Sequence, residues 1–271
     1  MPELPEVETT LRGIAPWVCG QRITSIVVRQ RQLRYPVPRT LAATLDGTRI
    51  ESVTRRAKYL LLHTQRGTLI LHLGMSGSLR VLDAEVPVQK HDHIDIVLDN
   101  GKCLRLRDPR RFGALLWTSA DPARHRLLRD LGPEPLSAAF SGEYLCEHAR
   151  GRRVAVKTYI MDSRIVVGIG NIYANEALFL AGIRPQRAAG RVSLQRYQQL
   201  ASAIKAVLNQ AIAEGGTTLR DFTASDGRPG YFRIRLNVYD RAGEPCPNCG
   251  EPISQMRLGQ RSTFYCKRCQ R

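Results

Sequence analysis

The sequence predicts an α+β fold of two domains, and three observations support this class. Short strand-like runs separated by turn signals fill the chain to about residue 130. After a Pro/Gly-rich linker at 131–135, apolar residues recur at helical spacing. Four cysteines in two closely spaced pairs end the sequence. We therefore expect an antiparallel sandwich or barrel-like domain that carries an N-terminal helix, followed by a helical domain.

The N-terminal helix is predicted from apolar residues that recur at helical spacing, namely Leu4, Val7, Leu11 and Ile14. It should cover about residues 5–15, because Pro16 cannot donate the backbone hydrogen bond that a helix interior requires. Such a helix would hold the start of the chain against the first domain.

The body of the first domain is predicted from short apolar and β-branched runs. Asn100-Gly101 provides a two-residue hairpin turn between two of them. The predicted strands cover residues 22–28, 49–53, 59–63, 68–73, 93–98 and 102–107. Repeated short strands of this kind are typical of antiparallel sandwiches and barrels.

The second domain is predicted from a change to helical periodicity. The predicted helices cover residues 142–148, 154–161, 171–181 and 194–213, and Gly215-Gly216 ends the last of them. The polar stretch that follows, up to Gly230, shows no regular pattern. A long polar loop within a compact region is more often functional than accidental.

The chain is strongly basic, with 41 Lys and Arg against 24 Asp and Glu and a net charge of +17. The charges are spread through the 271 residues, which favours a folded surface for a polyanion, nucleic acid before a membrane surface. No apolar run approaches the roughly 18 residues of a membrane-spanning helix. The acidic start lacks the apolar centre of a secretory signal, so we expect none.

The first six residues carry a candidate nucleophile. Met1 is normally trimmed before a residue as small as Pro2, which would leave a secondary amine at the start of the chain. A free α-amino group has a pKa of about 7.7–8.0, so it can attack an electrophilic carbon near neutral pH. Glu3 and Glu6 place a carboxylate acid or base beside it. The alternative is an ordinary helix start, with proline in the first turn and acids facing the helix dipole.

The C-terminal cysteines form two C-x2-C pairs, 246–249 and 266–269, with sixteen residues between them. Their spacing fits tetrahedral thiolate coordination of zinc, and iron–sulfur ligation is the alternative. With four sulfurs the site would be closed, so the metal would have a structural role and would supply folding energy to a short hairpin. Basic residues between the pairs, Arg261 among them, would face a phosphate backbone.

Two loops carry side chains suited to entering a DNA groove. Residues 108–113 place Arg110 and Phe112 between a proline and a glycine, and Met75 stands in a glycine-flanked loop at 74–77. Apolar side chains on such loops can wedge between bases. Ordinary core packing is the alternative for both apolar residues.

Three further motifs permit more than one interpretation. Residues 90–93, Lys-His-Asp-His, fit a solvated turn or a phosphate contact better than a metal or base site. Lys58 at a strand start fits either a phosphate contact or a reactive amine. Residues 168–174 form a glycine-bracketed helix start whose amides, with Asn171, can bind phosphate. As a dinucleotide-binding fingerprint this segment has the wrong spacing.

Taken together, these motifs resemble the formamidopyrimidine-DNA glycosylase family from end to end. Leu4 fits this branch, because the related endonuclease VIII enzymes, which favour oxidised pyrimidines, usually have Gly at that position. Asp240 departs from the family, which commonly has Gly there, and the position would require a positive φ. The matching segments are 2–9, 55–61, 72–79, 90–93, 108–113, 131–136, 168–176, 215–222, 225–227 and 246–269.

The resemblance implies a domain organisation, a cofactor and a partner. Residues 1–131 would form the catalytic β-sandwich, 132–236 a helix-two-turn-helix DNA-binding domain with a lesion-capping loop at about 217–231, and 237–271 a zinc-finger β-hairpin. The partner would be damaged double-stranded DNA, with no membrane partner. A monomer in the bacterial cytoplasm, associated with the nucleoid through DNA, is expected. One structural Zn²⁺ would be held by Cys246, Cys249, Cys266 and Cys269.

The implied activity is base-excision repair of oxidised purines such as 8-oxoguanine and formamidopyrimidines, which are flipped out of the duplex. Pro2 would displace the base from C1′ as an iminium, and Glu3 would protonate the sugar oxygen. β-Elimination and δ-elimination would then cut the strand. Lys58 matches the position assigned to proton transfer in β-elimination, and Arg261 matches the arginine linked to δ-elimination.

The resemblance also implies which residues contact DNA. Met75, Arg110 and Phe112 match the residues that fill the gap left by the flipped base. DNA-contacting positions are matched by His91, Arg110, Arg152, Lys157 and Asn171.

Two other functions stay open at this point. An endonuclease VIII-like lyase for oxidised pyrimidines would use the same nucleophile. A non-catalytic, zinc-dependent DNA-binding protein would explain the charge and the cysteines, but it would leave Pro2, Glu3 and Lys58 without a shared role.

Overall fold

The computed structural model describes residues 2–215 and 236–271, which divide into two compact units. Residues 2–129 belong to the first unit, and residues 130–213 with 236–271 form the second. Among the described residues, no helix combines the length and apolar character needed to cross a membrane. The expected lesion-capping loop at about 217–231 lies outside the described residues.

The first unit contains a sandwich of two antiparallel four-stranded sheets, which confirms the predicted class. One sheet has the strand order β1-β6-β7-β5 and the other has the order β2-β3-β4-β8. Inward-facing Leu, Ile and Val side chains of both sheets form one core with the N-terminal helix. The strands are β1 Ile23–Val28, β2 Ile50–Arg56, β3 Tyr59–Thr64, β4 Gly67–His72, β5 Ser78–Asp83, β6 Asp92–Leu98, β7 Lys102–Arg107 and β8 Ala114–Thr118.

The N-terminal helix α1 covers Leu4–Val18 and packs its apolar face on the sandwich. The prediction that Pro16 ends this helix is wrong, because the helix continues two residues beyond it. Pro16 stands in the last turn, so the helix loses only the hydrogen bond that its nitrogen would have donated. A short helix, α2, covers Leu41–Leu45.

The second unit is helical and ends in a β-hairpin, as predicted. Four helices surround an apolar core that includes Tyr159, Tyr173 and Leu200. Their bounds agree with the predicted ones to within two residues: α3 Gly142–Ala149, α4 Val156–Ile160, α5 Asn171–Leu180 and α6 Leu194–Ala213. Strands β9 Ser254–Leu258 and β10 Arg261–Tyr265 form the hairpin, which has a small apolar cluster of its own.

Candidate active site and nucleic-acid interface

The strand register gathers the candidate residues of the first unit at one edge of the sandwich. His72 pairs with Tyr59 on one side and Ala114 on the other, so the β2–β3 turn and the β4–β5 and β7–β8 loops share one end of their sheet. At the corresponding end of the other sheet, Ser78 and Asp92 both pair with Arg107. We call this end of the sandwich the loop edge. It carries Lys58, Met75, His91, Arg110 and Phe112.

The start of the chain is fixed by a capping box at the first turn of α1. The Glu6 carboxylate accepts the backbone N–H of Glu3 at 2.7 Å, and the Glu3 carboxylate accepts the backbone N–H of Glu6 in return. Both acids are only 3% exposed, and Pro2 is buried as well. The segment therefore does begin a helix, which places a carboxylate immediately after Pro2, and the nucleophilic role of Pro2 stays a prediction.

Lys58 lies in a two-residue turn between β2 and β3 that is tied to α1. Its neighbour Ala57 has φ 55°, a left-handed conformation that few residues other than glycine adopt. The Arg55 guanidinium donates to the carbonyl of Ala57 and to the Glu8 carboxylate, both at 2.9 Å. Because Glu8 belongs to α1, this arginine joins the turn that carries Lys58 to the helix that follows Pro2.

His72 lies beside this turn, and sequence reasoning named it only as the start of a matching segment. Its ring centroid is 4.8 Å from that of Tyr59, and its Nδ1 accepts the backbone N–H of Gly74 at 2.9 Å. Burial, together with the positive charges of Lys58 and Arg34, lowers the pKa of His72 to about 4. The imidazole is therefore neutral near pH 7, and its proton is on Nε2.

Asp108 joins the loops of the edge to one another. Its carboxylate accepts the backbone N–H of Gly113 at 2.7 Å and the hydroxyl of Ser76 at 3.2 Å. Its backbone N–H donates to the carbonyl of His91 at 3.0 Å, and its own carbonyl accepts Nε2–H of His93 at 2.8 Å. The side chain is fully buried. One residue thus connects the loops that carry Met75, His91, Arg110 and Phe112.

Met75 and Phe112 project from these loops and are 39% and 44% exposed, so the core-packing interpretation is wrong for both. The Arg110 guanidinium stands 5.0 Å from the Phe112 ring centroid. A Cβ on Gly74 would come within 2.4 Å of the Phe112 backbone, which shows how closely the two loops pack. The edge therefore presents two apolar side chains and an arginine together.

In the second unit, Lys157 and Asn171 converge on the start of β10. The Lys157 ammonium donates to the carbonyl of Ser262 at 2.9 Å and to the hydroxyl of Thr263 at 2.7 Å. The Asn171 amide donates to the same carbonyl at 3.0 Å. Lys157 is 1% exposed, so it supports this strand from within the unit. Its contact with DNA stays a prediction.

A cleft of about 440 Å³ brings three of the predicted residues of this unit together. Arg152, Lys157 and Arg261 line it, with Tyr159 and Leu258 among the other lining residues. The Arg152 guanidinium lies 5.6 Å from the Tyr159 ring centroid. Arg152 and Arg261 are exposed, so the mouth of the cleft is positively charged.

The four C-terminal cysteines converge as a metal site requires. Their sulfurs all lie within 4.8 Å of one another, with 3.8 Å between Cys246 and Cys269 and 3.4 Å between Cys249 and Cys266. A tetrahedral zinc with Zn–S bonds of about 2.3 Å requires sulfur separations of about 3.8 Å. The donor set and its size fit one Zn²⁺ and leave no room for an iron–sulfur cluster.

Glu176 of α5 fixes the segment that leads into the β9–β10 hairpin. The carboxylate of Glu176 accepts the backbone N–H groups of Asn237, Val238 and Tyr239 at 2.8–2.9 Å. The next residue, Asp240, has φ 59°, which confirms the positive φ predicted for this position. The hairpin is thus fixed to the helical unit at its entry as well as at β10.

These features define a class of protein. A sandwich edge with exposed wedge side chains and basic neighbours, together with a helical unit that ends in a four-cysteine hairpin, is typical of a zinc-dependent DNA-binding protein. Family models narrow the class further. Residues 1–115 match the formamidopyrimidine-DNA glycosylase N-terminal domain, 131–223 match the formamidopyrimidine-DNA glycosylase H2TH domain, and 243–271 match the zinc finger found in FPG and IleRS. The chain belongs to the formamidopyrimidine-DNA glycosylase family.

Relatives and solved structures agree with this assignment. Formamidopyrimidine-DNA glycosylases of Alkalilimnicola ehrlichii and Methylococcus capsulatus are 61% and 60% identical to the chain, each over the full length of both proteins. The structure of MutM (Fpg) from Thermus thermophilus is 38% identical, with a TM-score of 0.88 over 99% of this chain and 98% of that one. Lactococcus lactis Fpg in complex with DNA containing an abasic site is 32% identical, with a TM-score of 0.91 over 99% of both chains.

Proposed function

We propose that the chain is a bifunctional DNA glycosylase of base-excision repair. It removes oxidised purines, 8-oxoguanine and formamidopyrimidines, from duplex DNA and then cuts the strand at the abasic site. The observation that carries this proposal is the loop edge, where the strand register places exposed wedge side chains at the same end of the sandwich as Lys58. Lactococcus lactis Fpg has been solved with DNA containing N7-benzyl-Fapy-dG, at 32% identity and a TM-score of 0.90 over the full length of both chains.

The first step is eversion of the damaged nucleotide. Met75 and Phe112 enter the base stack and fill the gap, while Arg110, held against the Phe112 ring, remains beside the unpaired partner base. Eversion costs a few kcal/mol in lost stacking and pairing, and an apolar wedge offsets part of that cost. Exposed apolar side chains on tightly packed loops suit this role.

The chemistry begins at Pro2 once Met1 has been removed. The Pro2 nitrogen forms a bond to C1′ while the C1′–N bond to the base breaks, and the base leaves with the electron pair and takes up the proton that the Pro2 nitrogen loses. Glu3 protonates the sugar ring oxygen, which opens the ring and leaves an iminium between Pro2 and C1′.

The iminium withdraws electrons and acidifies the protons on C2′. Lys58 assists transfer of a C2′ proton, and the 3′ phosphate leaves by β-elimination. A second elimination then releases the 5′ phosphate, and Arg261 is assigned to this step. Arg152, Asn171 and His91 hold backbone phosphates, which keeps the strand in place during both eliminations.

We also propose a domain organisation, an oligomeric state and a location for the chain. The catalytic domain spans residues 1–131, the helix-two-turn-helix domain 132–236 and the zinc finger 237–271, with a lesion-capping loop at about 217–231. The chain acts as a monomer in the bacterial cytoplasm and associates with the nucleoid through DNA. The division into three domains is supported by family models that match the chain in the same order.

The nucleophile is tested by borohydride trapping on an 8-oxoguanine duplex. The wild-type chain should give a covalent protein–DNA adduct, because borohydride reduces the iminium to a stable amine. Pro2→Gly should trap and excise much more slowly, and a chain that retains Met1, identified by mass spectrometry, should not trap. Wild-type excision without an adduct would contradict the proposed nucleophile.

Substrate class is tested with two duplexes. The chain should excise 8-oxoguanine opposite cytosine faster than thymine glycol, and the reverse order would favour an endonuclease VIII-like enzyme. Binding to both duplexes without excision would support a non-catalytic DNA-binding protein.

A further inference from the structure

A tyrosine on the loop that follows β1 carries two arginines on one ring. The Arg126 guanidinium lies 4.9 Å from the ring centroid of Tyr35, and the Arg34 guanidinium lies 5.6 Å from it. Both arginines are exposed, while the ring is partly buried. We call these three residues the Tyr35 cluster. None of its residues belongs to the proposed catalytic, wedge or zinc sites.

The Tyr35 cluster is continuous with the loop edge. The backbone N–H of Arg34 donates to the carbonyl of Gly113 at 3.0 Å, so the cluster lies next to the loop that carries Phe112. The positive charge of Arg34 contributes to the lowered pKa of His72. The cluster therefore adjoins the loop that carries Phe112.

The charges of the Tyr35 cluster are not neutralised by the protein. Among the residues that the structure describes, neither Arg34 nor Arg126 forms an ion pair with a carboxylate, whereas Arg29 and Arg105 of the same unit both pair with Asp95. Both exposed guanidinium groups are therefore available to bind an anion. The cluster thus differs from the ordinary case of a single surface arginine packed along an aromatic ring.

The chemistry of the cluster suits phosphate. Guanidinium groups are planar donors that match phosphate oxygens, and stacking on a ring holds them in place before binding, so less side-chain freedom is lost. The partner proposed for the adjoining edge is a duplex whose backbone presents phosphates at regular intervals.

We propose that the Tyr35 cluster binds backbone phosphates of the DNA duplex and extends the interface beyond the damaged nucleotide. The proposal rests on the function proposed for the loop edge. The interaction is independent of base sequence and lies outside the chemistry, so it contributes to affinity for undamaged and damaged DNA alike.

The test is the salt dependence of binding to an undamaged duplex. Removing one arginine–phosphate interaction should reduce the slope of log K against log salt by about 0.9. Arg126→Ala should therefore reduce the slope by about 1, and the double variant Arg34→Ala/Arg126→Ala by about 2. Arg22→Ala is the matched control, because Arg22 is also exposed but lies beside the β6–β7 turn, at the opposite end of the sheet. If Arg22→Ala reduces the slope as much as Arg126→Ala, only net charge matters and the proposal is wrong.

The role of the ring is tested separately. Tyr35→Phe keeps the stacking surface and should bind as the wild type does, whereas Tyr35→Leu removes it and should weaken binding in the same direction as Arg126→Ala. Equal binding by both variants would contradict the proposal that the ring holds the two guanidinium groups in place. Borohydride trapping separates this proposal from the proposed function when the Arg126→Ala variant is present at a concentration that saturates the DNA. A normal adduct with a reduced slope supports both, and a wild-type chain that gives no adduct contradicts only the enzymatic function.

Discussion

At the scale of single residues, His72 shows how burial sets a protonation state at the loop edge. Its Nδ1 accepts the backbone N–H of Gly74, a hydrogen bond that a protonated ring would lose. Burial and two nearby cations lower its pKa from 6.5 to about 4. Between these two values the unfolded chain binds a proton at this residue and the folded chain does not. Stability should therefore fall as the pH drops from 6.5 towards 4.

The variant His72→Asn isolates this contribution, because the amide oxygen of asparagine can accept the Gly74 N–H without titrating. Wild-type unfolding free energy should fall by about 3 kcal/mol more than that of the variant between pH 7 and pH 4. Urea unfolding at a series of pH values measures the difference. Parallel curves would mean that His72 titrates normally in the folded protein.

The capping box at the chain start leads to a second residue-scale prediction. Glu6→Ala removes the acceptor of the Glu3 N–H and should cost about 1 kcal/mol of stability. It should also slow adduct formation in borohydride trapping, because the backbone between Pro2 and α1 is no longer fixed. Glu6→Gln keeps an oxygen acceptor and should recover most of the rate. Unchanged trapping by Glu6→Ala would show that this backbone needs no such support.

At the scale of elements, the wedge loops depend on Asp108. Asp108→Ala leaves the Gly113 N–H and the Ser76 hydroxyl without their buried acceptor, which costs about 1–3 kcal/mol. If about 1.4 kcal/mol of this loss falls on eversion, excision of 8-oxoguanine from a duplex should slow about tenfold. Cleavage of a preformed abasic site in single-stranded DNA requires no eversion and should change much less. Single-turnover kinetics on the two substrates measure how much each reaction slows.

Two variants serve as comparisons for Asp108→Ala. Asp108→Asn retains one acceptor oxygen and should give an intermediate loss. Leu98→Ala truncates a buried residue at the far end of β6 and should destabilise the unit by about 2–5 kcal/mol without affecting the wedge loops. If Leu98→Ala and Asp108→Ala show a similar ratio of duplex excision to single-stranded cleavage, Asp108 contributes only to general stability.

Sequence patterns did not indicate the two strands β5 and β8. β5 lies at the end of its sheet and is half-exposed over its second half, so neither an apolar run nor a clean alternation marks it. β8 also lies at the end of its sheet, and its apolar run at 114–117 is only four residues long, which does not by itself distinguish a strand from a helix. Pro16 is tolerated because it stands in the last turn of α1. The bounds of α6 were predictable because its buried positions recur at helical spacing, whereas α5 is buried on nearly every side and shows no such spacing.

At the scale of the whole molecule, motifs identified the chemistry, but only strand register brings the residues together. Lys58, Met75 and Phe112 are far apart in sequence, and the pairing of Tyr59, His72 and Ala114 places them at one edge. No local pattern contains that register. The burial of Lys157 could not be predicted either, because it depends on contacts with Ser262 and Thr263, more than one hundred positions away.

The zinc site offers a test of how far one local site supports the molecule. Removal of zinc with a chelator should unfold the β9–β10 hairpin, because its small apolar cluster and four thiolates cannot hold it alone. Arg261 would then lose its position at the start of β10, so damaged-DNA binding should fall and should return when zinc is added back. Hydrogen exchange should show reduced protection in the hairpin, while the sandwich strands stay protected by their own core. Loss of protection throughout the sandwich would instead show that the metal stabilises the whole chain.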